Sequence, residues 1–203
     1  MIAIIDYGMG NIHSVQKAIQ LCRAQTRVTD KPLDIAKAKA IVLPGVGAFD
    51  DAMLQLQKKG LVKAITEHIK NKKPFLGICL GMQVLFEKSE EASRSEGLKI
   101  IKGKVRKLQA KKGLKVPHMG WNQLKKISAG CPLFKGIADN AYVYFCHSYY
   151  PEPSNAKVKA ATTDYGKDFT CVVEQNNVYG VQFHPEKSQS VGLKILKNFV
   201  NLI

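Results

Sequence analysis

The sequence of 203 residues has no apolar stretch that approaches the roughly 18 to 20 residues of a membrane-spanning helix. Its first residues, Met1 to Asp6, include neither the basic region nor the cleavage site of a secretory signal. Its five cysteines are widely separated, and no two have the C-x-x-C spacing. An odd number of scattered thiols argues against a disulfide framework and against a structural zinc site. We therefore expect a cytoplasmic protein with reduced thiols and no membrane association.

Acidic residues are scarce, because 16 Asp and Glu stand against 31 Lys and Arg and give a formal net charge of +15. A field of this strength favours nucleic acids, acidic proteins or anionic substrates as partners. The basic residues, however, are spread along the chain in short clusters such as Lys70–Lys73, Lys102–Lys107 and Lys111-Lys112. Aromatic residues that could stack on bases are not interleaved with these clusters. We interpret the charge as a solvated basic face and predict no nucleic-acid partner.

The first half of the chain alternates between strand-like apolar runs and helical periodicities. The candidate strands are Ile2–Asp6, Thr26–Thr29, Ala40–Leu43 and Phe75–Ile78. The candidate helices are Ile12–Cys22, which Asn11 can cap, and then Asp50–Lys59, Leu61–Lys70 and Met82–Lys88. Alternation of this kind predicts right-handed crossovers and a mostly parallel sheet with helices on both faces.

Beyond Gly97 the pattern changes to shorter strands separated by turns, which predicts antiparallel hairpins. The candidate strands there are Val105–Leu108, Ala141–Cys146, Lys157–Ala161, Thr170–Glu174 and Val178–Phe183. A last amphipathic helix is predicted over Val191–Leu202. The predicted fold class is therefore α/β, with a mostly parallel central sheet and additional antiparallel strands in the C-terminal half. A chain of this size with 45% hydrophobic residues buries one sizeable core, so we predict a single domain over residues 1–203.

Cys79 lies in the segment Gly77-Ile78-Cys79-Leu80-Gly81, between a predicted strand and a predicted helix. A side chain at such a turn projects from the carboxyl edge of the sheet, and the nearby glycines relieve crowding in a strained backbone. The free N–H groups at the start of the helix stabilise a thiolate. Although a lone cysteine is more often a small buried hydrophobe, the flanking pattern indicates a nucleophile.

A base for this nucleophile is found in His184-Pro185-Glu186, which follows the predicted strand Val178–Phe183. The imidazole lies at the strand end, and the carboxylate two residues later can reach the same ring. Such an acceptor holds the imidazole in one useful tautomer. A histidine near a glutamate is by itself more often a surface pair, but together with Cys79 the segment predicts a Cys-His-Glu triad.

Attack on a carbonyl develops negative charge on its oxygen, which requires positioned N–H donors. The candidate donors lie in Pro44-Gly45-Val46-Gly47, after a buried strand, and at Leu80, next to the nucleophile. Proline and glycine would also produce an ordinary loop, so this segment carries little weight alone.

Two patterns that could indicate a cofactor are incomplete. Gly8-x-Gly10 follows the first strand, but His13 stands where a dinucleotide-binding motif has its third glycine. His118 and His147 lack metal-ligand spacing with the cysteines or with His184. We therefore predict neither a metal ion nor a cofactor.

Taken together, the segments Pro44–Gly47, Gly77–Gln83 and Gln182–Ser188 resemble the class I, or triad, glutamine amidotransferases, because three separated motifs occur in the family's order. The resemblance implies an enzyme in which Cys79 attacks the side-chain amide of L-glutamine. It implies that His184 protonates the departing ammonia and later activates water, and that Glu186 orients His184. It also implies that glutamine is recognised by Gln83 and by the segment His147-Ser148-Tyr149.

Within that family, Asp6–Asn11 and Pro117–Asn122 resemble the subunits that supply ammonia to a separate cyclase in histidine biosynthesis. The likeness implies a heterodimer with a cyclase of (β/α)8-barrel fold. It further implies that Met119, Trp121 and Lys187 lie toward the cyclase, where ammonia leaves. The isolated subunit is then expected to be nearly idle until the cyclase, with its nucleotide bound, organises the oxyanion site.

Other functions remain open at this point. Related subunits amidate sugar nucleotides during surface-polysaccharide assembly. A Cys-His hydrolase could act on a γ-glutamyl or peptide amide without a partner, in which case the isolated chain would hydrolyse its substrate rapidly. A non-catalytic regulatory or nucleic-acid-binding protein would show salt-sensitive binding and no glutamine turnover.

Overall fold

The structure, a computed structural model, describes residues 1–110, 113–128 and 130–203, and the predicted basic pair Lys111-Lys112 lies outside these ranges. The strands are β1 (Ile2–Ile5), β2 (Thr26–Thr29), β3 (Ala40–Gly45), β4 (Phe75–Cys79), β5 (Lys88–Ser89), β6 (Gly103–Lys107), β7 (His118–Gln123), β8 (Lys125–Lys126), β9 (Tyr142–His147), β10 (Tyr149–Pro153), β11 (Lys159–Asp164), β12 (Asp168–Gln175) and β13 (Val178–Val181). The helices are α1 (Ile12–Leu21), α2 (Pro32–Lys37), α3 (Phe49–Lys58), α4 (Leu61–Lys70), α5 (Leu80–Gln83) and α6 (Gln189–Val200). None of the described helices has the length and apolar character needed to cross a lipid bilayer.

The central sheet has eight strands in the order β2-β1-β3-β4-β13-β12-β11-β8. The pairings from β2 to β13 are parallel, whereas those from β13 to β8 are antiparallel. Two smaller sheets join β10, β6 and β5, and β7 with β9. The predicted fold class is therefore confirmed, including the change to antiparallel pairing in the C-terminal half.

Different helices cover the two faces of the central sheet, as the burial of all four residues of β1 requires. Ile4 belongs to the core that α1 and α6 complete with residues such as Ile19 and Leu196. Its neighbour Ile5 points to the opposite core, which α3 and α4 complete with residues such as Leu56 and Ile65. Because successive side chains of a strand point to opposite faces, both faces are apolar and both need a layer of helices.

The segment after Cys79 differs from the prediction. In place of a helix over Met82–Lys88, α5 has only four residues, and Lys88 begins strand β5. The carbonyls of the intervening residues pair with a later segment: Leu98 N donates to Val84 O at 2.7 Å, and two further amides donate to Leu85 O. Since these carbonyls are no longer free for i to i+4 bonds, the helix ends early.

Several boundaries and elements also differ. Helix α2 and strands β5, β7, β8 and β10 are absent from the predicted elements. The predicted strand Lys157–Ala161 begins inside a 3-10 turn (Ala156–Val158), and β11 follows from Lys159. Asn11 stands at the N-cap position of α1, but its side chain makes no cap hydrogen bond with the described residues. Strand β13 ends at Val181, although Gln182 N still donates to Cys171 O of β12 at 2.8 Å. The chain has left the central sheet by His184, whose backbone N–H donates to Tyr144 O of β9 at 2.9 Å.

Candidate active site

Cys79 is the last residue of β4 and adopts φ 54° and ψ −109°, a conformation that residues other than glycine rarely adopt. Such a backbone costs about 1–3 kcal/mol and persists only where the surrounding structure enforces it. Here the enforcement comes from close packing of two glycines. A Cβ at Gly77 would collide with the carbonyl of Gly81, and a Cβ at Gly81 would collide with the carbonyl of Leu43. The predicted strand-to-helix turn at Cys79 is therefore present, and the helix that follows begins at Leu80.

His184 and Glu186 form a buried pair. Nδ1 of His184 donates to Oε1 of Glu186 at 2.9 Å, and the two side chains are only 4% and 1% exposed. Burial by itself lowers the pKa of His184, but hydrogen bonding with the side chains of Cys79 and Glu186 outweighs burial and raises this pKa above its ordinary value. The three predicted triad residues thus lie together, and the raised pKa favours the imidazolium form of His184.

The backbone around His184 is held by a second set of hydrogen bonds. Ser188 Oγ donates to the carbonyl of His184 at 2.7 Å and accepts from Tyr144 N at 2.9 Å. Ser188 is fully buried, so these bonds are shielded from water. They connect the short 3-10 turn Pro185–Lys187 to strand β9 and fix the position of the imidazole.

A cavity of about 290 Å³ opens beside the triad. Its lining contains most of the predicted site residues: Val46, Gly47, Cys79, Leu80, Gln83, His147, Ser148, Tyr149, His184 and Lys187. Gly45 lies just outside the lining, where it pairs with Cys79 in the register of β3 and β4. Glu186 stands behind His184. The predicted nucleophile, base, oxyanion loop and glutamine-recognition segment therefore converge on one space.

The oxyanion segment lies against Cys79 from the neighbouring strand. Gly47 has φ 95°, a conformation that favours glycine, and Val46 is 43% exposed beside it. The hydroxyl of Tyr7 occupies the place that a Cβ at Gly45 would need. Burial and the neighbouring Cys79 raise the pKa of Tyr7, so its phenol stays neutral.

Gln83 uses both amide hydrogens within the protein. Its Nε2 donates to the carbonyl of Tyr149 at 2.9 Å and to Oε1 of Gln182 at 3.0 Å. The amide oxygen of Gln83 is then the atom suited to accept a hydrogen bond from a ligand. His147 directs its ring nitrogens to Tyr149 and His118 instead, so its ring is a structural element of the cavity wall.

The residues at the site that were not predicted from the sequence include Glu91, Gln182 and Cys146, whose carbonyl oxygen lies 3.9 Å from the sulfur of Cys79. Glu91 lines the cavity, and its Oε2 accepts from Phe49 N at 2.9 Å, while burial raises the pKa of its carboxyl group. Gln182 donates from Nε2 to the sulfur of Cys79 at 3.5 Å. Gln182 belongs to the motif that contains His184, which was a signal for it, whereas Glu91 has no comparable local signal.

Of the predicted partner-facing residues, Lys187 lines the cavity, whereas Met119 and Trp121 do not. Met119 and Trp121, on β7, are large apolar side chains with exposed fractions of 61% and 46%. They follow Pro117, which lines the cavity together with Lys187. The ammonium group of Lys187 lies 5.8 Å from the ring centroid of Tyr144. An exposed apolar surface of this kind is typical of a docking site.

Comparison with known proteins gives a consistent result. The model of the glutamine amidotransferase class-I family matches residues 3–202. The imidazole glycerol phosphate synthase subunit HisH of Syntrophotalea carbinolica is 52% identical over 204 residues, covering 98% of each chain. The protein of the same name from Moorella thermoacetica is 52% identical over 202 residues, covering 100% of this chain and 95% of the relative.

Solved structures share the fold at much lower identity. A glutamine amidotransferase superposes with a TM-score of 0.78 at 14% identity, covering 99% of this chain and 97% of the other. A chain of PurLQS from Thermotoga maritima superposes with a TM-score of 0.74 at 18% identity, with coverage of 99% and 97%. At these identities the likeness concerns the architecture alone.

Proposed function

Because the chain belongs to the class I glutamine amidotransferases, we propose that it is the glutaminase subunit of an imidazole glycerol phosphate synthase, which hydrolyses L-glutamine and passes ammonia to a cyclase subunit. The observation that carries the proposal is the convergence of Cys79, His184 and Glu186 at one cavity. The names of the relatives that match the chain over nearly its full length support the choice of pathway. Residues 1–203 act as one domain in this proposal, since the central sheet takes strands from both halves of the chain.

The reaction begins with the thiolate of Cys79, which attacks the side-chain carbonyl carbon of glutamine. The negative charge that forms on the oxygen is stabilised by backbone N–H groups of the segment Gly45-Val46-Gly47 and of Leu80. His184, held by Glu186, then donates its proton to the amide nitrogen as the carbon–nitrogen bond breaks. Ammonia leaves, and the glutamyl group remains on the sulfur as a thioester.

Hydrolysis of the thioester reverses the role of the histidine. Neutral His184 takes a proton from a water molecule as this water attacks the thioester carbon. A second oxyanion forms at the same N–H groups, and its collapse releases glutamate and the Cys79 thiolate. Glu186 keeps the Nδ1 hydrogen of His184 in place at both stages, so Nε2 always faces the reacting atoms.

The cavity walls fit the other end of the substrate. Glu91 supplies a carboxylate for the α-ammonium group of glutamine, and the amide oxygen of Gln83 supplies a further acceptor. Ser148 and Tyr149 line the same cavity, and the carbonyl of Tyr149 holds the side chain of Gln83. The combination selects a small amino acid with a positively charged end and an amide end.

The partner in this proposal is a cyclase subunit of (β/α)8-barrel fold. It would cover Met119, Trp121 and Lys187, because Lys187 lines the cavity and the other two are large exposed apolar side chains on β7, the strand that follows the cavity residue Pro117. Ammonia becomes ammonium in water at neutral pH and loses its nucleophilic lone pair, so a sealed interface protects it. Part of the +15 charge of the chain would complement an acidic rim on the cyclase.

The test combines this chain with the cyclase subunit of an imidazole glycerol phosphate synthase and the nucleotide substrate of the cyclase, and follows glutamate release. We expect slow release by the isolated chain and strong acceleration when both partner and nucleotide are present. Rapid release by the isolated chain would indicate a stand-alone hydrolase instead. Acceleration only by a partner that acts on sugar nucleotides would assign the chain to the other pathway.

A further inference from the structure

The sulfur of Cys79 is contacted by a buried side-chain amide outside the triad. Gln182 is fully buried, and its Nε2 lies 3.5 Å from the sulfur. The orientation of this amide is set from its other end, because Nε2 of Gln83 donates to Oε1 of Gln182 at 3.0 Å. With its oxygen occupied by a donor, Gln182 must present its N–H to the sulfur.

The bonds that hold Gln83 continue away from the cavity. The carbonyl of Tyr149, which accepts from Gln83, also accepts from Nδ1 of His147 at 2.8 Å. Nε2 of His147 lies 3.1 Å from Nδ1 of His118, and Nε2 of His118 lies 3.3 Å from the amide nitrogen of Asn122. A chain of hydrogen bonds, here called the β7 relay, therefore runs from Asn122 on β7 to Cys79.

Only one arrangement of hydrogens satisfies the β7 relay. A carbonyl can only accept, so Nδ1 of His147 carries the hydrogen and its Nε2 is an acceptor. Nδ1 of His118 must then donate, and its Nε2 accepts from Asn122. Asn122 is held in turn, since its Nδ2 donates to the carbonyl of Asp164 at 2.7 Å.

The two histidines are held in the neutral state that this arrangement needs. Burial lowers the pKa of His118 to about 4, and burial together with the neighbouring His118 lowers the pKa of His147 to about 3. The ring of His118 is also stacked between Tyr165 and Phe145, with centroid distances of 4.0 and 4.8 Å. The β7 relay therefore keeps one pattern of donors across the physiological range of pH.

We propose that Gln182 stabilises the thiolate of Cys79 by donating an amide N–H to the sulfur, and that the His118–His147 pair is a positioning device which holds this amide from the partner-facing strand β7. An N–H donor binds a negative sulfur more strongly than a neutral thiol, so the contact favours the reactive form. The inference rests on the proposed function only in taking Cys79 as the nucleophile. It adds Gln182 as a residue that contacts the reacting sulfur, and it adds the β7 relay as a chain of hydrogen bonds that connects β7 to Gln182.

Other groups that titrate also face the sulfur, and the test must separate their effects. His184 and Tyr7 both interact electrostatically with Cys79, Tyr7 from the carboxyl end of β1. Glu91 and Lys187 line the same cavity. The test therefore changes Gln182 and the β7 relay alone and leaves these four groups in place.

The experiment measures how fast iodoacetamide alkylates Cys79 in the full chain at pH 7, with the Cys79 peptide quantified by mass spectrometry because the chain has five cysteines. Gln182→Glu keeps the side-chain shape and the acceptor for Gln83 but replaces the donor at the sulfur by an oxygen. We expect alkylation at least about tenfold slower than in the parent chain. Gln175→Glu is the matched control, since the amide of Gln175 donates to Ile100 O, outside the β7 relay.

The positioning part of the proposal is tested with His118→Phe, which keeps an aromatic ring in the stack but removes both nitrogens. We expect about threefold slower alkylation of Cys79 in a variant that remains folded. Circular dichroism measures whether the variant is folded. An unchanged rate in His118→Phe would overturn the role of the β7 relay. An unchanged rate in Gln182→Glu would overturn the role of the amide.

Because the carboxyl group of Gln182→Glu adds either a negative charge or an O–H donor beside the sulfur, Gln182→Met, which fills the same buried space with neither, is judged by the same tenfold criterion. An unchanged rate in Gln182→Met would also overturn the role of the amide. Alkylation needs neither glutamine nor a partner, so the result does not depend on the pathway. Slower alkylation in both variants, combined with no glutamine turnover by the parent chain in any complex, would support this inference and contradict the proposed function.

Discussion

Nδ1 of His184 lies 2.9 Å from Oε1 of Glu186, only two residues farther along the chain. Because the carboxylate orients the ring and does not carry the transferred proton, Glu186→Gln should reduce glutamine hydrolysis less than His184→Asn does. For His184→Asn we expect a loss of about 10²- to 10⁴-fold in kcat, the usual contribution of general acid–base catalysis. Steady-state glutamate release by the complex measures both. An equal or greater loss in Glu186→Gln would contradict the assignment of the orienting role.

Replacement of the nucleophile should separate the two half-reactions. Cys79→Ala is expected to abolish synthesis from glutamine, because no thioester can form, and to leave synthesis from added ammonium salt at the parent rate. Both are measured in the same complex with the cyclase. A chain in which both activities disappear would show that Cys79 has a structural role that extends to the partner.

The neutral histidine pair predicts a loss of stability in acid. The ordinary pKa of a histidine is 6.5, whereas His118 in the folded chain has a pKa of about 4. Between these two values the unfolded chain binds the extra proton, so the stability that is present above pH 6.5 is lost as the pH falls toward 4. In urea unfolding, the free energy of unfolding of His118→Phe should fall less steeply with decreasing pH than that of the parent chain, by up to about 1.4 kcal/mol per pH unit. Parallel curves for parent and variant would contradict the depressed pKa.

The packing of the turn at Cys79 predicts that glycine cannot be replaced there. Gly81→Ala places a Cβ against the carbonyl of Leu43 and should destabilise the chain by about 1–3 kcal/mol, the typical cost of overpacking. Glutamine hydrolysis should fall as well, because the sulfur moves with the turn. Gly130→Ala is the control, since a Cβ at Gly130 meets nothing within 4 Å. Thermal unfolding compares the stabilities of the two variants. Equal stabilities would rule out close packing of Gly81 against the carbonyl of Leu43.

The exposed side chains on β7 predict how the partner is bound. Trp121→Ala should weaken binding to the cyclase at least tenfold, mainly through faster dissociation, because a large apolar anchor is lost. The association rate of the parent chain should fall with increasing salt, since it depends on the net charge of +15. Surface plasmon resonance separates the two rates. An association rate independent of ionic strength would contradict the complementary acidic rim.

The triad stays a prediction, and each of its signals is local: glycines flank Cys79, a strand precedes His184, and Glu186 follows at a short spacing. The family, the enzyme class and the fold class are confirmed. The contact of Gln182 with the sulfur could not be predicted, since it depends on β13 pairing beside β4. Glu91 reaches the cavity only through the packing of a loop against α3.

The mispredicted helix after Cys79 has a comparable cause. The periodicity of Met82–Lys88 is compatible with a helix, but the carbonyls of Val84 and Leu85 bond to residues 98–101. Strand β7 was missed for a similar reason, because its stability comes from pairing with β9 rather than from its own polar sequence. Non-local hydrogen bonds of this kind leave no periodic pattern in the residues that accept them.

The positive φ of Cys79 also limits which chemistries this scaffold can host. A residue branched at Cβ is strongly disfavoured at φ 54°, so threonine, the nucleophile of some other hydrolases, is sterically unsuited to this turn. Serine is unbranched and fits the same backbone. An oxygen nucleophile at position 79 is therefore compatible with the present backbone only as serine. A threonine nucleophile would require a different backbone conformation at this turn.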